Sequence, residues 1–156
     1  MFARCYEMSF VGLRYFNIYG PRQRPDGPYA AVVPKFFAAC AAQEAPVIFG
    51  DGEQSRDFTF VKDAVRANLL AATATLTGAV AMNIGAGNVT TVKELAEIIC
   101  KVTGDKVKPS YVAARDGDIR HSQADCSRAE EVIGFRAQVA LAEGLAQTQA
   151  ALDALR

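Results

Sequence analysis

The sequence has no surplus of either charge: 17 Lys and Arg stand against 17 Asp and Glu, a formal net charge of zero. Without a net basic field it has no long-range pull on nucleic acid or on an anionic membrane, so neither partner is expected, although a local group of arginines could still hold a small anion. Histidine is nearly absent, with His121 alone, and the four cysteines (Cys5, Cys40, Cys100, Cys126) contain no Cys-x-x-Cys pair. That inventory offers no metal site and no disulfide framework. It leaves four free, mostly buried thiols in a reducing cytoplasm as the expectation. No apolar run is long enough to span a bilayer, and Arg4 and Glu7 interrupt what a signal peptide would need as an unbroken apolar stretch. What is present, 51% hydrophobic and 22% charged residues over 156 positions, fits one soluble globular domain with a real core.

Strand and helix patterns alternate along the chain. Met1 to Met8 has the apolar and charged mixture of a helix end with no cap before it. Val11 to Tyr19 is a strand pattern closed by the breaker pair Gly20-Pro21, and Arg22 to Pro28 reads as a loop. Ala31 to Gln43 reads as a helix starting near Val32 or Val33, which places Pro34 in the first turn where its missing N–H costs nothing. Pro46–Phe49 and Ser55–Phe60 are short strand patterns around Gly50-Asp51-Gly52, which predicts a hairpin. Val61, Ala64, Val65, Leu69 and Ala72 then recur at helical spacing, up to about Gly78. Ala79–Ile84 is an apolar strand. Thr91 and Glu94 form a capping box for a helix stopped by Gly104. Val107–Val112 predicts a strand, Asp125 a capped short helix ending at Gly134, and Leu141–Leu155 a last helix. The alternation means an α/β architecture, with the Val11 and Ala79 strands as the two that look fully buried in a parallel sheet.

Five segments carry candidate chemistry: Leu13-Arg-Tyr-Phe-Asn-Ile-Tyr-Gly-Pro-Arg22, Gly50-Asp-Gly-Glu-Gln-Ser-Arg-Asp-Phe58, Asn83-Ile-Gly-Ala-Gly87, Arg115-Asp-Gly-Asp118, and His121-Ser-Gln-Ala-Asp125 with Arg128-Ala129 and Ile133-Gly134. Together, in this order and over essentially the whole chain, they resemble the extended short-chain dehydrogenases of the NAD-dependent epimerase/dehydratase family, and within it the UDP-N-acetylglucosamine 4-epimerases. The resemblance implies the C-terminal part of a doubly wound Rossmann-type fold plus a small mixed α/β lobe that binds substrate. It also implies a UDP-sugar as partner and NAD as the cofactor of a full-length enzyme.

By that resemblance Arg56 and Arg115 contact the phosphates and ribose, Asp118 holds ribose hydroxyls, and Asn17 hydrogen-bonds the diphosphate or the sugar. Arginine suits a diphosphate because its planar fork binds anionic oxygens two at a time. Ala31, Val32 and Phe36, with Val47 and Ile48, match the family's uracil-binding wall, and Tyr15 and Phe16 its nicotinamide end. The plainer alternatives are that Val32, Val33, Phe36 and Phe37 are simple core and that Arg56-Asp57 is a solvated pair. His121 reads as a structural or surface histidine.

Gly85-Ala86-Gly87 follows a strand and precedes a helix, but Thr90 stands where a dinucleotide fingerprint needs its third glycine. The family's Tyr-x-x-x-Lys pair, whose tyrosine removes the sugar hydroxyl proton, has no match. Four residues after Tyr6, Tyr15, Tyr19, Tyr29 and Tyr111 stand Phe10, Tyr19, Gln23, Val33 and Arg115. The expectation is therefore a substrate-binding portion, residues 1–156, without the cofactor-binding half, inactive alone and binding no NAD by itself. Alternatives are one chain of a split epimerase or dehydratase, completed by a separate cofactor-binding chain, and a non-enzymatic interaction module. Self-association into a homo-oligomer, or a rearranged amino-terminal segment, is expected where the missing half would leave apolar surface.

Overall fold

The computed structural model describes residues 1–26 and 31–155. The end of the expected Arg22–Pro28 loop thus lies outside the described residues. In chain order the elements are α1 (Phe2–Cys5), β1 (Phe10–Tyr15), β2 (Ile18–Tyr19), α2 (Val32–Ala41), β3 (Val47–Phe49), β4 (Ser55–Arg56) and β5 (Thr59–Phe60). They continue with α3 (Val61–Thr73), β6 (Ala79–Ile84), β7 (Thr90–Thr91), α4 (Val92–Thr103), β8 (Ser110–Val112), α5 (Ser127–Ile133) and α6 (Leu141–Asp153). They divide into two compact units, one of Met1–Ile18, Asp57–Asn88 and Gln123–Val139, the other of Tyr19–Arg56, Val89–Ser122 and Ala140–Arg156.

In the first unit β1 and β6 run parallel, in register from Phe10 opposite Ala79 to Tyr15 opposite Ile84. Met82 and Ile84 of β6 meet Ala67 of α3, Ala129 and Ile133 of α5, and Phe135 in one apolar core, with Val11 and Leu13 of β1 packed against it. Both helices lie on that face. The strands were expected to be buried on both sides; instead burial alternates along them, and Phe10, Gly12, Ala79 and Ala81 are exposed. The expected single strand to Tyr19 is also broken, because Asn17 takes a φ of 33°, a left-handed conformation that asparagine tolerates but a strand does not.

In the second unit α4 packs against both α2 and α6. Val33, Phe36, Phe37 and Cys40 of α2, Leu95, Ala96 and Ile99 of α4, and Leu145 of α6 are buried. Pro34 sits in the first turn of α2, as its missing N–H requires. The capping box at α4 is complete: Thr91 Oγ1 accepts from the Glu94 N–H at 3.1 Å, and Glu94 Oε2 accepts from the Thr91 N–H at 2.9 Å. Gly104 ends the helix with a φ of 74°.

The predicted hairpin does not form. β3 pairs in parallel with β8, and β4 antiparallel with β7. The reason lies in where the backbone groups go. The first two N–H groups of α4, which have no partner inside the helix, donate to the carbonyls of Gln54 and Gly52, both at 3.0 Å. Gly50 N–H goes instead to Val112 O at 2.9 Å, and Gln54 Nε2 occupies Phe49 O at 2.7 Å. The groups a hairpin ladder would use are already engaged.

Smaller differences follow from single residues. α3 ends at Thr73, before the expected Gly78, and β8 begins at Ser110, after Pro109, rather than at Val107. Asp125 Oδ1 accepts from Ser127 N–H at 3.0 Å, so it serves the start of α5 from one residue before the N-cap, Cys126. Cys5 lies exposed on the one-turn α1, Cys40 is buried, and Cys100 and Cys126 are half-buried, which corrects the expectation of mostly buried thiols. Among the described residues no helix is long and apolar enough to cross a membrane.

Candidate functional site

The spacing Arg115-Asp-Gly-Asp118 makes a tight turn. Asp118 N–H donates to Arg115 O at 3.3 Å, and Gly117 holds a φ of 78°, which a side chain at the third turn position would resist. The turn sets the two functional side chains at its two ends. Arg56, on β4, donates from one guanidinium nitrogen to Asp118 Oδ1 at 2.5 Å and from another to its neighbour Ser55 O at 2.9 Å. Its side chain is 15% exposed, against 37% for Asp118. Arg115 lies with its guanidinium carbon 3.6 Å from the centroid of the Phe49 ring, at the end of β3. A guanidinium held over an aromatic face by cation–π attraction still has N–H donors to offer an anion.

Arg115 and Asp118, but not Arg56, border a cleft of about 220 Å³ whose walls also include Phe49, Asp51, Gln54 and Arg120. Arg120 binds Asp51 through two parallel bonds, Nη1 to Oδ1 at 2.7 Å and Nη2 to Oδ2 at 2.9 Å. The guanidinium holds the Asp51 carboxyl down at about 2, helped by the Glu53 N–H, and Asp51 in turn raises Arg120 above its ordinary value. Sequence reading named neither Phe49, Asp51 nor Arg120 as part of a site. The signal available was that Asp51 lies within, and Phe49 and Arg120 lie one or two residues outside, the two arginine-bearing motifs; the pairing of Asp51 with Arg120 across 69 positions had no such signal.

The structure therefore brings Arg56, Arg115 and Asp118 together through one turn. Ala31 and Val32, at the start of α2, are half-buried, and Val47 is 45% exposed. Phe36 and Ile48, at 2% and 0%, are core residues that could back an apolar wall but present almost no surface themselves. Asn17, Tyr15 and Phe16 belong to the first unit. Asn17 is exposed and its carbonyl accepts from Thr59 N–H at 3.3 Å. Tyr15 is half-exposed with its hydroxyl 3.0 Å from Asn68 Oδ1, and Phe16 donates its N–H to Ile84 O at 2.9 Å. His121 is exposed, with Nδ1 2.9 Å from Ser55 Oγ.

Asp57, for which a solvated pair with Arg56 was the plainer alternative, is instead fully buried. Its carboxylate accepts from the N–H groups of Ala86 at 2.7 Å, Gly87 at 3.0 Å and Ala124 at 3.1 Å. The glycine turn that resembled a phosphate loop thus already has an anion on its amides. A Cβ at Gly85 would stand 2.4 Å from Ala124 Cβ and 2.7 Å from Asp57 Oδ2, so glycine there makes room for an internal carboxylate. Among the described residues no group of three or more potential ligands could hold a metal ion.

Comparison with known proteins matches residues 1–85 to the model of the NAD dependent epimerase/dehydratase family. The UDP-glucose 4-epimerase of Mycolicibacterium smegmatis is 40% identical over 148 residues, covering 95% of this chain and 47% of that protein. The crystal structure of UDP-glucose 4-epimerase with UDP-glucose from Thermotoga maritima superposes with a TM-score of 0.92 at 42% identity, over 99% of this chain and 49% of that one. The UDP-N-acetylglucosamine 4-epimerase of Methanobrevibacter ruminantium, in complex with UDP-N-acetylmuramic acid, gives a TM-score of 0.92 at 40% identity, with the same coverage. The chain spans about half the length of the curated relatives it matches.

Proposed function

Because this chain belongs to the NAD dependent epimerase/dehydratase family, we propose that residues 1–156 are the nucleotide-sugar-binding portion of a UDP-sugar 4-epimerase. Its α/β fold is that of the corresponding part of the Rossmann-type epimerases it superposes on. The observation that carries the proposal is the Arg115–Asp118 turn, with Arg56 bonded to Asp118 and Arg115 laid on Phe49. Arg115 is the cation that meets the diphosphate. Arg56, largely engaged by Ser55 and Asp118, steadies the turn and adds positive potential behind it. Asp118 Oδ2 is left to accept a ribose hydroxyl, and Ala31, Val32 and Val47 supply the apolar surface for a flat base. The relatives named with UDP-linked ligands support this ligand class.

A complete epimerase oxidises C4 of the sugar and returns the hydride to its other face, with NAD as the hydride carrier. The Gly85–Gly87 turn does not fit the diphosphate of NAD, since its amides are held by Asp57. No Tyr-x-x-x-Lys pair is present to take the proton. Residues 1–156 thus supply the binding part of that reaction, with Tyr15 and Phe16 as the candidates for the nicotinamide end.

Thermal melting tests the reading. UDP raises the melting temperature, NAD alone does not, and Arg115→Ala weakens UDP binding by about tenfold to a hundredfold, the range for a charge-assisted bond to an anion. A chain that melts cooperatively with no response to UDP would be an interaction module instead, and the reading would fall. The exposed Tyr15, Val65 and Leu69, on the α3 side of the first unit, favour one addition: a second protein surface, either another copy or a separate cofactor-binding chain, covers them.

A further inference from the structure

We propose that Asp51 and Arg120 are positioning residues for the cleft: their ion pair struts the Ala113–Ile119 loop against the Gly50–Gly52 turn and so keeps Arg115 seated on Phe49. The ligand this geometry serves, a nucleoside diphosphate, rests on the reading above; the strut itself does not.

The two walls of the cleft come from segments far apart in sequence. Backbone bonds join them at each end, Gly50 N–H to Val112 O at 2.9 Å and Ser55 N–H to Arg120 O at 2.8 Å. Between those points every residue from Ala113 to Ile119 is exposed. The bond inside the loop, from Asp118 N–H to Arg115 O, closes the turn but ties it to nothing outside. Position is thus left to side chains, and of these the Asp51–Arg120 contact has the most directional geometry, two nitrogens to two oxygens in parallel.

The far end of the strut is firm. Asp51 also accepts the Glu53 N–H at 3.0 Å, and it stands between two left-handed glycines, Gly50 and Gly52. A Cβ at Gly52 would meet Lys93 Cβ at 3.1 Å and Ile48 Cγ2 at 3.2 Å, so the turn is packed close against its surroundings. The pair has a second consequence. A bare carboxylate on the wall of the cleft would repel a diphosphate, and Arg120 neutralises it.

The test uses the whole chain in two measurements: amide hydrogen exchange across residues 113–119 without ligand, and calorimetric titration with UDP. Asp51→Asn keeps the acceptor for Glu53 and removes the charge, Arg120→Gln removes the fork, and Asp51→Arg with Arg120→Asp reverses the pair. Each single variant should speed exchange in 113–119 and weaken UDP binding by about fivefold, the upper range for an exposed pair. The reversed pair should recover much of both. Unchanged exchange in both single variants would overturn the strut. Recovery of neither property in the reversed pair would also overturn it, because it would mean that Arg120 acts on its own. If the unaltered chain fails to bind UDP while the single variants still speed exchange, the nucleotide reading falls and the strut stands.

Discussion

Asp57 has no exposed surface, yet its carboxylate takes three backbone N–H groups from two segments, at Ala86, Gly87 and Ala124. Removing it would strand the buried Ala124 N–H, at roughly 1–3 kcal/mol, and take the acceptor from the less buried N–H groups of Ala86 and Gly87. Asp57→Ala should therefore destabilise the chain by about 3 kcal/mol, read as a lower urea midpoint at unchanged slope. Gly85→Ala should cost a similar amount, about 3 kcal/mol, because its Cβ would fall 2.4 Å from Ala124 Cβ. The thiols make a second residue-scale case. Burial, with Cys40 Sγ 3.9 Å away, pushes Cys100 up to about 11. A folded value raised above the unfolded one near 9 means stability present below pH 9 and lost as pH rises through 11. At pH 8 Cys100 stays a thiol, so iodoacetamide should label exposed Cys5 first and Cys100 slowly, as mass spectrometry would resolve. Asp51 runs the other way. Its value of about 2, set mainly by Arg120, lies below the unfolded one near 3.8, so the pair contributes above pH 4 and fails as pH falls through 2. The difference in UDP affinity between the unaltered chain and Asp51→Asn should accordingly be constant from pH 5 to 8, measured by calorimetry.

At the scale of elements, what could be read from sequence is what is decided locally. Thr91 and Glu94 satisfy each other's backbone within one turn, and α4 starts where that spacing says. Thr91→Ala removes the side-chain acceptor for Glu94 N–H and should cost about 1 kcal/mol, checked by chemical denaturation. Pro34 and Gly104 likewise act within their own turns. The failed hairpin has the same kind of local pattern, glycines flanking a polar residue between two apolar runs. It is overridden because α4, beginning about forty positions later, needs the carbonyls of Gly52 and Gln54 for its first N–H groups. Arg115 and Asp118 were readable as a motif because one turn holds both. Phe49, Asp51 and Arg120 were not, because their roles depend on β3 lying beside β8, a pairing between residues some sixty positions apart that no local spacing encodes.

At the scale of the molecule, the first unit has one covered sheet face and one open one. α3 and α5 pack on the side that carries Met82 and Ile84, while β1 and β6 turn Phe10, Gly12, Ala79 and Ala81 outward on the other. Small residues at Gly12 and Ala81 leave that face flat, with a Cβ at Gly12 only 3.6 Å from Ala81 Cβ. Val65 and Leu69 add exposed apolar surface on α3, at 54% and 63%. A flat apolar sheet face and a strand with an open edge are templates for association, and a lone two-stranded sheet is weak by itself. The chain should therefore self-associate at micromolar concentrations, with an apparent mass by light scattering that rises with concentration. Phe10→Lys together with Leu69→Lys should lower that mass toward the monomer while leaving UDP binding intact, because neither residue belongs to the unit that holds Arg56, Arg115 and Asp118. A monodisperse monomer across that range would mean that the open face is stable in water as it stands. The case for a covering partner would then be lost without touching the case for the cleft.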